Sequence, residues 1–136
     1  MKALSVHPYY AMGIVSGIKT IECRTWTTNY RGDILICSTA KKMKDTIPSH
    51  ALGIVTLKNV RPFTRNDLEA ALLLPQDFSK GLYAWELENP RLIKPIPIKG
   101  KLSLWEYDGE QPEILNVVTD EEGEAFLTDY WEPLYV

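Results

Sequence analysis

Apolar positions in this chain fall in short runs, separated by Gly, Pro and charged residues, a pattern that predicts strands and turns more than long helices. Leu4–Val6 is a short apolar run before Pro8. Pro8 suits the first turn of a helix, Tyr9–Ser16 is small and apolar, and Gly17 supplies a stop. Thr20–Arg24 alternates, with Thr20, Glu22 and Arg24 on one side and Ile21 and Cys23 on the other. Asp33–Thr39 is β-branched and reads as a buried strand, and Ala51–Val60 reads as a second long one. Thr64-Arg65-Asn66-Asp67 resembles a capping box and opens a short helix through Ala71. Leu82–Leu87 alternates again, with Tyr83 and Trp85 on one side. Pro95 and Pro97 confine Ile93–Ile98 to an edge strand or an extended connection. Lys101–Tyr107 reads as a closing strand, and Thr119-Asp120-Glu121-Glu122 starts a terminal helix that Gly123 weakens.

The predicted order is strand, helix, then several strands with little helix between them. Without alternating βαβ units, a doubly wound parallel sheet is disfavoured, and the pattern predicts an α+β fold built on a small mixed or antiparallel β-barrel with short flanking helices. One boundary stands out, at Asp108-Gly109-Glu110-Gln111-Pro112. Residues 1–108 are expected to form the barrel, and residues 109–136 an acidic C-terminal extension packed on the same domain.

Length changes this picture little: 136 residues suffice for one core and not for two. With 45% apolar and 24% charged residues, the chain has the composition of a soluble globular protein. No apolar run approaches the roughly 20 residues of a membrane span, and the first residues lack the apolar stretch of a secretory signal. Cys23 and Cys37 cannot make a disulfide framework and fit a reducing, cytoplasmic setting. Charge adds more. Residues 1–44 carry seven Lys or Arg against two acids, whereas residues 106–136 carry ten acids and no Lys or Arg. A local basic surface on an acidic protein is therefore expected, and indiscriminate binding to long duplexes is not.

The candidate chemistry lies in Gly17-Ile18-Lys19-Thr20-Ile21-Glu22-Cys23-Arg24. Glu22 and Arg24 sit two apart on a strand, roughly 7 Å along one face, close enough to brace each other or to converge on one ligand. Lys19 precedes the strand, and its flexible stem can swing into the same space. Together the three offer an acceptor, a fork-shaped donor and a point-charge donor, suited to a base edge or a phosphate. The plainer alternative is a surface salt-bridge trio. In the loop that follows, Trp26 and Tyr30 interleave with Arg24 and Arg31, as stacking platforms beside phosphate donors or as plugs at one end of the core. Lys41, Lys42 and Lys44, and later Lys94, Lys99 and Lys101, could extend a phosphate track. His7 and His50 share no zinc spacing with the cysteines, so no metal site is expected, and no Gly-rich phosphate loop points to a cofactor.

Leu4-Ser5-Val6-His7-Pro8-Tyr9, then Gly17-x-Lys19-x-x-Glu22-x-Arg24, Trp26 and Tyr30-Arg31-Gly32, resemble the ASCH domain, the homology domain named after the activating signal cointegrator. All four fixed positions of its G-x-K-x-x-E-x-R motif are met, and the likeness returns at Ala40-Lys41-Lys42, Tyr83-Ala84-Trp85 and Ile96–Lys101, followed by Trp105. It covers residues 3–107. The resemblance implies a PUA-like β-barrel with a cleft beside the motif, and binding of RNA, single-stranded nucleic acid or a modified nucleobase. Lys19, Glu22, Arg24, Trp26, Tyr30, Arg31, Lys41, Lys42 and Lys99 are the binding candidates. The family also includes hydrolases of N4-acetylcytidine, which use a Lys and a Thr in the motif. Lys19 matches the Lys, but Glu22 stands at the Thr position, so Lys19 and Glu22 are catalytic candidates only for an enzyme, amidohydrolase or ribonuclease. A third alternative is a protein-interaction domain that docks a partner through the acidic tail. No membrane partner is expected.

Overall fold

In the computed structural model, which describes residues 1–116 and 119–136, six strands form one curled sheet with two short helices. The strands are β1 (Lys2–Val6), β2 (Ile21–Arg24), β3 (Gly32–Ser38), β4 (His50–Pro62), β5 (Tyr83–Pro97) and β6 (Leu104–Glu106). Helix α1 (Pro8–Val15) follows β1, and α2 (Asp120–Phe126) lies near the C-terminus. The order across the sheet is β2-β5-β4-β3-β1-β6, with β1 parallel to β3 and every other pairing antiparallel. The predicted α+β class and the mixed sheet are both present. The sheet curls into a half-barrel: β2 and β6 lie at its two ends.

Strand β3 shows why Asp33–Thr39 reads as a continuous apolar run. Ile34 and Ile36 pack in the main core with Ile14 and Val15 of α1, while Leu35 and Cys37 pack on the opposite face with Ile54, Ile93 and Ile96. Both faces are covered, so alternation is lost. Burial pushes the Cys37 thiol up to about 12, which keeps it protonated.

Two predicted segments, Leu82–Leu87 and Ile93–Ile98, belong to the single strand β5. Asn89 (φ +53°) and Pro90 interrupt its regular path. Tyr83–Glu86 pairs with both β2 and β4. From Glu88 to Pro97 the ladder is with β4, and an isolated bridge from Ile93 to Ile114 covers part of the other side. Pro95 and Pro97 sit in that half, where a missing N–H costs little. The helix expected through Ala71 is shorter: a 3-10 turn spans Arg65–Asp67. The Asp67 carboxylate accepts from the Thr64 N–H, as a capping box requires, and also from both terminal nitrogens of Arg61 at 2.8 Å. Residues 68–72 continue as turns up to Leu72, at φ +56°.

In the C-terminal segment, the Thr119 hydroxyl caps α2 by accepting from the Glu122 N–H. Phe126 and Trp131 join the main core, and the Trp131 indole donates to the Ile93 carbonyl at 3.1 Å.

Helix α1 lies against β4 at Gly53, where an added Cβ would sit 2.5 Å from Val15 Cγ1 and 2.7 Å from the Arg91 carbonyl oxygen. Gly53→Ala is therefore expected to destabilise the protein by about 1–3 kcal/mol through overpacking against backbone that cannot retreat. Urea denaturation measures this, and an unchanged midpoint would contradict the packing described.

Candidate nucleobase cleft

Three local features bring the motif side chains together. Gly17, at φ +85°, ends α1 and turns the chain so that the Lys19 N–H bonds back to the Gly13 carbonyl. Strand β2 then begins at Ile21, and its alternation sends Ile21 and Cys23 into a cluster with Phe63, Leu68 and Ala84. Glu22 and Arg24 consequently share the opposite side, as expected. Thr20, the third member of that predicted face, precedes the strand and is exposed.

The Lys19 stem does not swing in solvent. It is 2% exposed, and its ammonium donates to the Ala71 carbonyl, lies 3.7 Å from Glu22 Oε1 and sits 4.7 Å from the centre of the Tyr10 ring. Burial lowers the Lys19 pKa below the usual lysine value, and the Glu22 charge opposes that shift in part. Glu22 Oε1 also accepts from the Cys23 N–H, and Oε2 accepts from Arg24 Nε at 2.9 Å. Arg24 Nη2 lies 2.8 Å from Glu22 Oε2 and donates to the Ser5 carbonyl on β1 at 2.9 Å. These contacts link β2 to β1 through the Arg24 side chain and the Ser5 main-chain carbonyl.

This chain of charges floors a cleft of about 330 Å³, lined also by Ser5, Val6, His7, Tyr10, Thr39 and Leu73. That volume lies at the small end of the range of roughly 300–1,000 Å³ for small-molecule sites. Two of its lining residues, Ser5 and His7, carry buried side-chain atoms, Oγ and Nδ1, without a hydrogen-bond partner. Burial, helped by the charge of Lys41, lowers the His7 pKa, so the imidazole is neutral at pH 7 and offers both a donor and an acceptor. Arg24 is the most open of the three motif side chains, at 23% of its side-chain surface.

The other candidates lie elsewhere. Trp26 packs edge-on against Trp85 at 4.8 Å between ring centres and belongs to the core, and the Trp85 indole donates to the Trp26 carbonyl. Tyr30 packs against the same core, with its hydroxyl donating to the Asp33 carbonyl. Arg31 folds back onto the Thr28 and Tyr30 carbonyls. None of these three lines the cleft. The Lys41 charge acts on His7, but Lys41 and Lys42 are both exposed and line none of the cavities described. Lys99 lines a neighbouring cavity of about 540 Å³. Ser5, His7, Tyr10 and Thr39 are cleft residues that the spacing argument missed. The signal for the first two lies in Leu4–Tyr9, which carries part of the family likeness. Among the described residues no cluster of His, Cys, Asp and Glu is arranged to hold a metal, and no helix is long and apolar enough to cross a membrane.

The family model of the ASCH domain matches residues 4–99. The human activating signal cointegrator 1 is 28% identical over 129 residues, covering 79% of this chain. The chain spans only 22% of that protein's length. The crystal structure of ASCH from Zymomonas mobilis superposes with a TM-score of 0.61 at 20% identity, covering 93% of both chains. A mutant of the same Zymomonas mobilis protein gives 0.61 at 19% identity, covering 93% of this chain and 94% of the other. The two structures share the fold with this protein.

The buried pair yields a signed pH dependence. Because Lys19 releases its proton more readily folded than unfolded, stability rises with pH between its lowered folded value and its ordinary value of 10.5. Lys19→Met is expected to lack that rise in a series of urea titrations. Glu22→Gln, which strips the buried ammonium of its counter-charge, is expected to cost about 3–5 kcal/mol. Identical pH profiles for wild type and Lys19→Met would contradict this account.

Proposed function

Because the chain belongs to the ASCH domain family, we propose that it binds RNA through the motif cleft, taking one nucleobase, plain or modified, between Arg24 and His7. The observation that carries this reading is a guanidinium fixed in orientation beside one small hollow. Arg24 is held in place by Glu22 and the Ser5 carbonyl, keeps 23% of its side-chain surface open, and lines the cleft with His7 and Tyr10. A base edge presents donors and acceptors in one plane, which a fixed guanidinium and a neutral imidazole can meet together. Tyr10 supplies an aromatic wall. Lys19 and Glu22 act from below: they hold Arg24 rather than touch the ligand.

Electrostatics agree with an anionic backbone at the rim. Lys99 and Lys101 line the adjoining cavity. None of the described residues from 108 to 136, which carry half of the acidic side chains and no Lys or Arg, lines either hollow. Hydrolysis has less support from the geometry. Lys19 and Glu22, the pair that would supply base and proton acceptor, are already engaged with each other, Ala71 and Arg24.

Fluorescence anisotropy with a labelled, mixed-sequence single-stranded RNA of twelve nucleotides tests the reading. Affinity is expected to fall as salt rises. Arg24→Ala should weaken binding by about tenfold or more, in line with about 1.5–3 kcal/mol for a hydrogen bond to a charged group. Arg24→Lys should recover only part of the loss, since it keeps the charge without the fork. Equal affinity for wild type and Arg24→Ala, with both folded by circular dichroism, would overturn the proposal.

A further inference from the structure

We infer that the motif cleft is one half of a two-compartment groove, and that the adjoining cavity takes the next phosphate and nucleotide of a single-stranded RNA. The inference rests on the reading of the motif cleft as a base site and extends it. Ser5 and Thr39 line both the 330 Å³ cleft and the 540 Å³ cavity, so the two hollows meet at these residues. The second hollow adds the hydroxyl residues Ser38 and Ser49 and the segment Ile98–Leu102.

The chemistry of the two halves differs as the parts of a nucleotide chain differ. The motif half is floored by a charge-compensated trio and suits a neutral, flat base. In the second half, Lys99 and Lys101 are exposed cations with no acid among the lining residues. Lys101 Nζ lies 5.7 Å from the centre of the Trp105 ring, which leaves its donors open to an anion. Between the two lysines the segment is pinned: a Cβ at Gly100 would sit 2.3 Å from Ser5 Oγ, so this backbone packs directly on the junction. An internucleotide phosphate where the two hollows adjoin would meet Lys99 and Lys101 together. Leu102, 92% exposed beside Lys101, and Ile98 give the second half an apolar surface for the face of a second base.

This predicts a protein that reads at least two linked nucleotides rather than a free nucleoside. The test uses the full chain and the same twelve-nucleotide RNA between 50 and 200 mM salt. Losing two phosphate contacts should reduce the slope of log K against log salt by about 1.4, at about 0.7 per contact for single strands. Lys99→Ala/Lys101→Ala is expected to show that reduction, with affinity down about tenfold or more. The same variant should bind an equimolar mixture of the four nucleoside monophosphates as wild type does, read by NMR shifts at His7 and Arg24. Lys58→Ala/Lys80→Ala removes equal charge from residues that line neither hollow, and should leave the slope unchanged.

Should the Lys99/Lys101 variant keep wild-type affinity and slope while Arg24→Ala weakens binding, the second compartment is refuted and the base site stands. An equal loss in the Lys58/Lys80 control also refutes it, by reducing the effect to net charge. RNA binding that ignores Arg24→Ala, or no binding by the wild type, overturns the base site and this inference with it.

Discussion

A curled sheet with two unpaired ends must satisfy polar backbone at its seam, and here side chains do so. Strand β6 begins at Leu104, opposite Leu4, and Ser103 at φ +58° precedes it. The β1–β6 ladder therefore stops before Ser5, whose carbonyl accepts from Arg24 of β2 instead. Arg24 is held by Glu22, Glu22 lies against Lys19, and Lys19 is tied to the carbonyl of Ala71. Each member is buried or half-buried, so each needs the next one to offset its desolvation. The same chain closes the seam and floors the cleft. Under the proposed function, stability and recognition would depend on one set of contacts, and a ligand would meet a guanidinium already fixed in orientation rather than one it must order.

Much of the fold was legible from residue pattern because its elements obey local rules. Pro8 opens α1, the stretch Ile34–Cys37 makes a strand buried on both faces, and Thr64 with Asp67 makes the predicted box. What was not legible depends on contacts distant in sequence. The joining of Tyr83–Glu86 and Ile93–Pro97 into one strand needs β4 as a thirteen-residue template, and no local signal reports a partner's length. Proline placement gave the correct hint that the second half would lie at an edge.

Strand periodicity reaches the motif residues of the cleft and stops at the loop that follows. Strand alternation placed Glu22 and Arg24 together. It could not place Trp26, Tyr30 and Arg31, because loop residues follow no period, and here they pack on Trp85, Asp33 and their own backbone. The interleaved aromatics serve the core. In the proposed reading, recognition rests instead on Arg24 with His7 and Tyr10 at the start of α1, which line the motif cleft. Burial of Lys19 was likewise invisible in the sequence, because its acceptor belongs to Ala71, fifty-two residues away. Charge segregation along the chain did carry over into space: the acidic C-terminal residues line neither hollow that the basic residues border.

The central claim is that recognition occurs at the seam between β1 and β2. Titration of isotopically labelled protein with single-stranded RNA, followed by backbone and side-chain NMR, tests it most directly. The account predicts that the largest shift changes fall on Ser5, His7, Tyr10, Arg24 and Thr39, with Trp26, Tyr30 and Arg31 little moved. Shifts centred on Trp26–Arg31, or on the acidic C-terminal segment, with the seam unaffected, would contradict it.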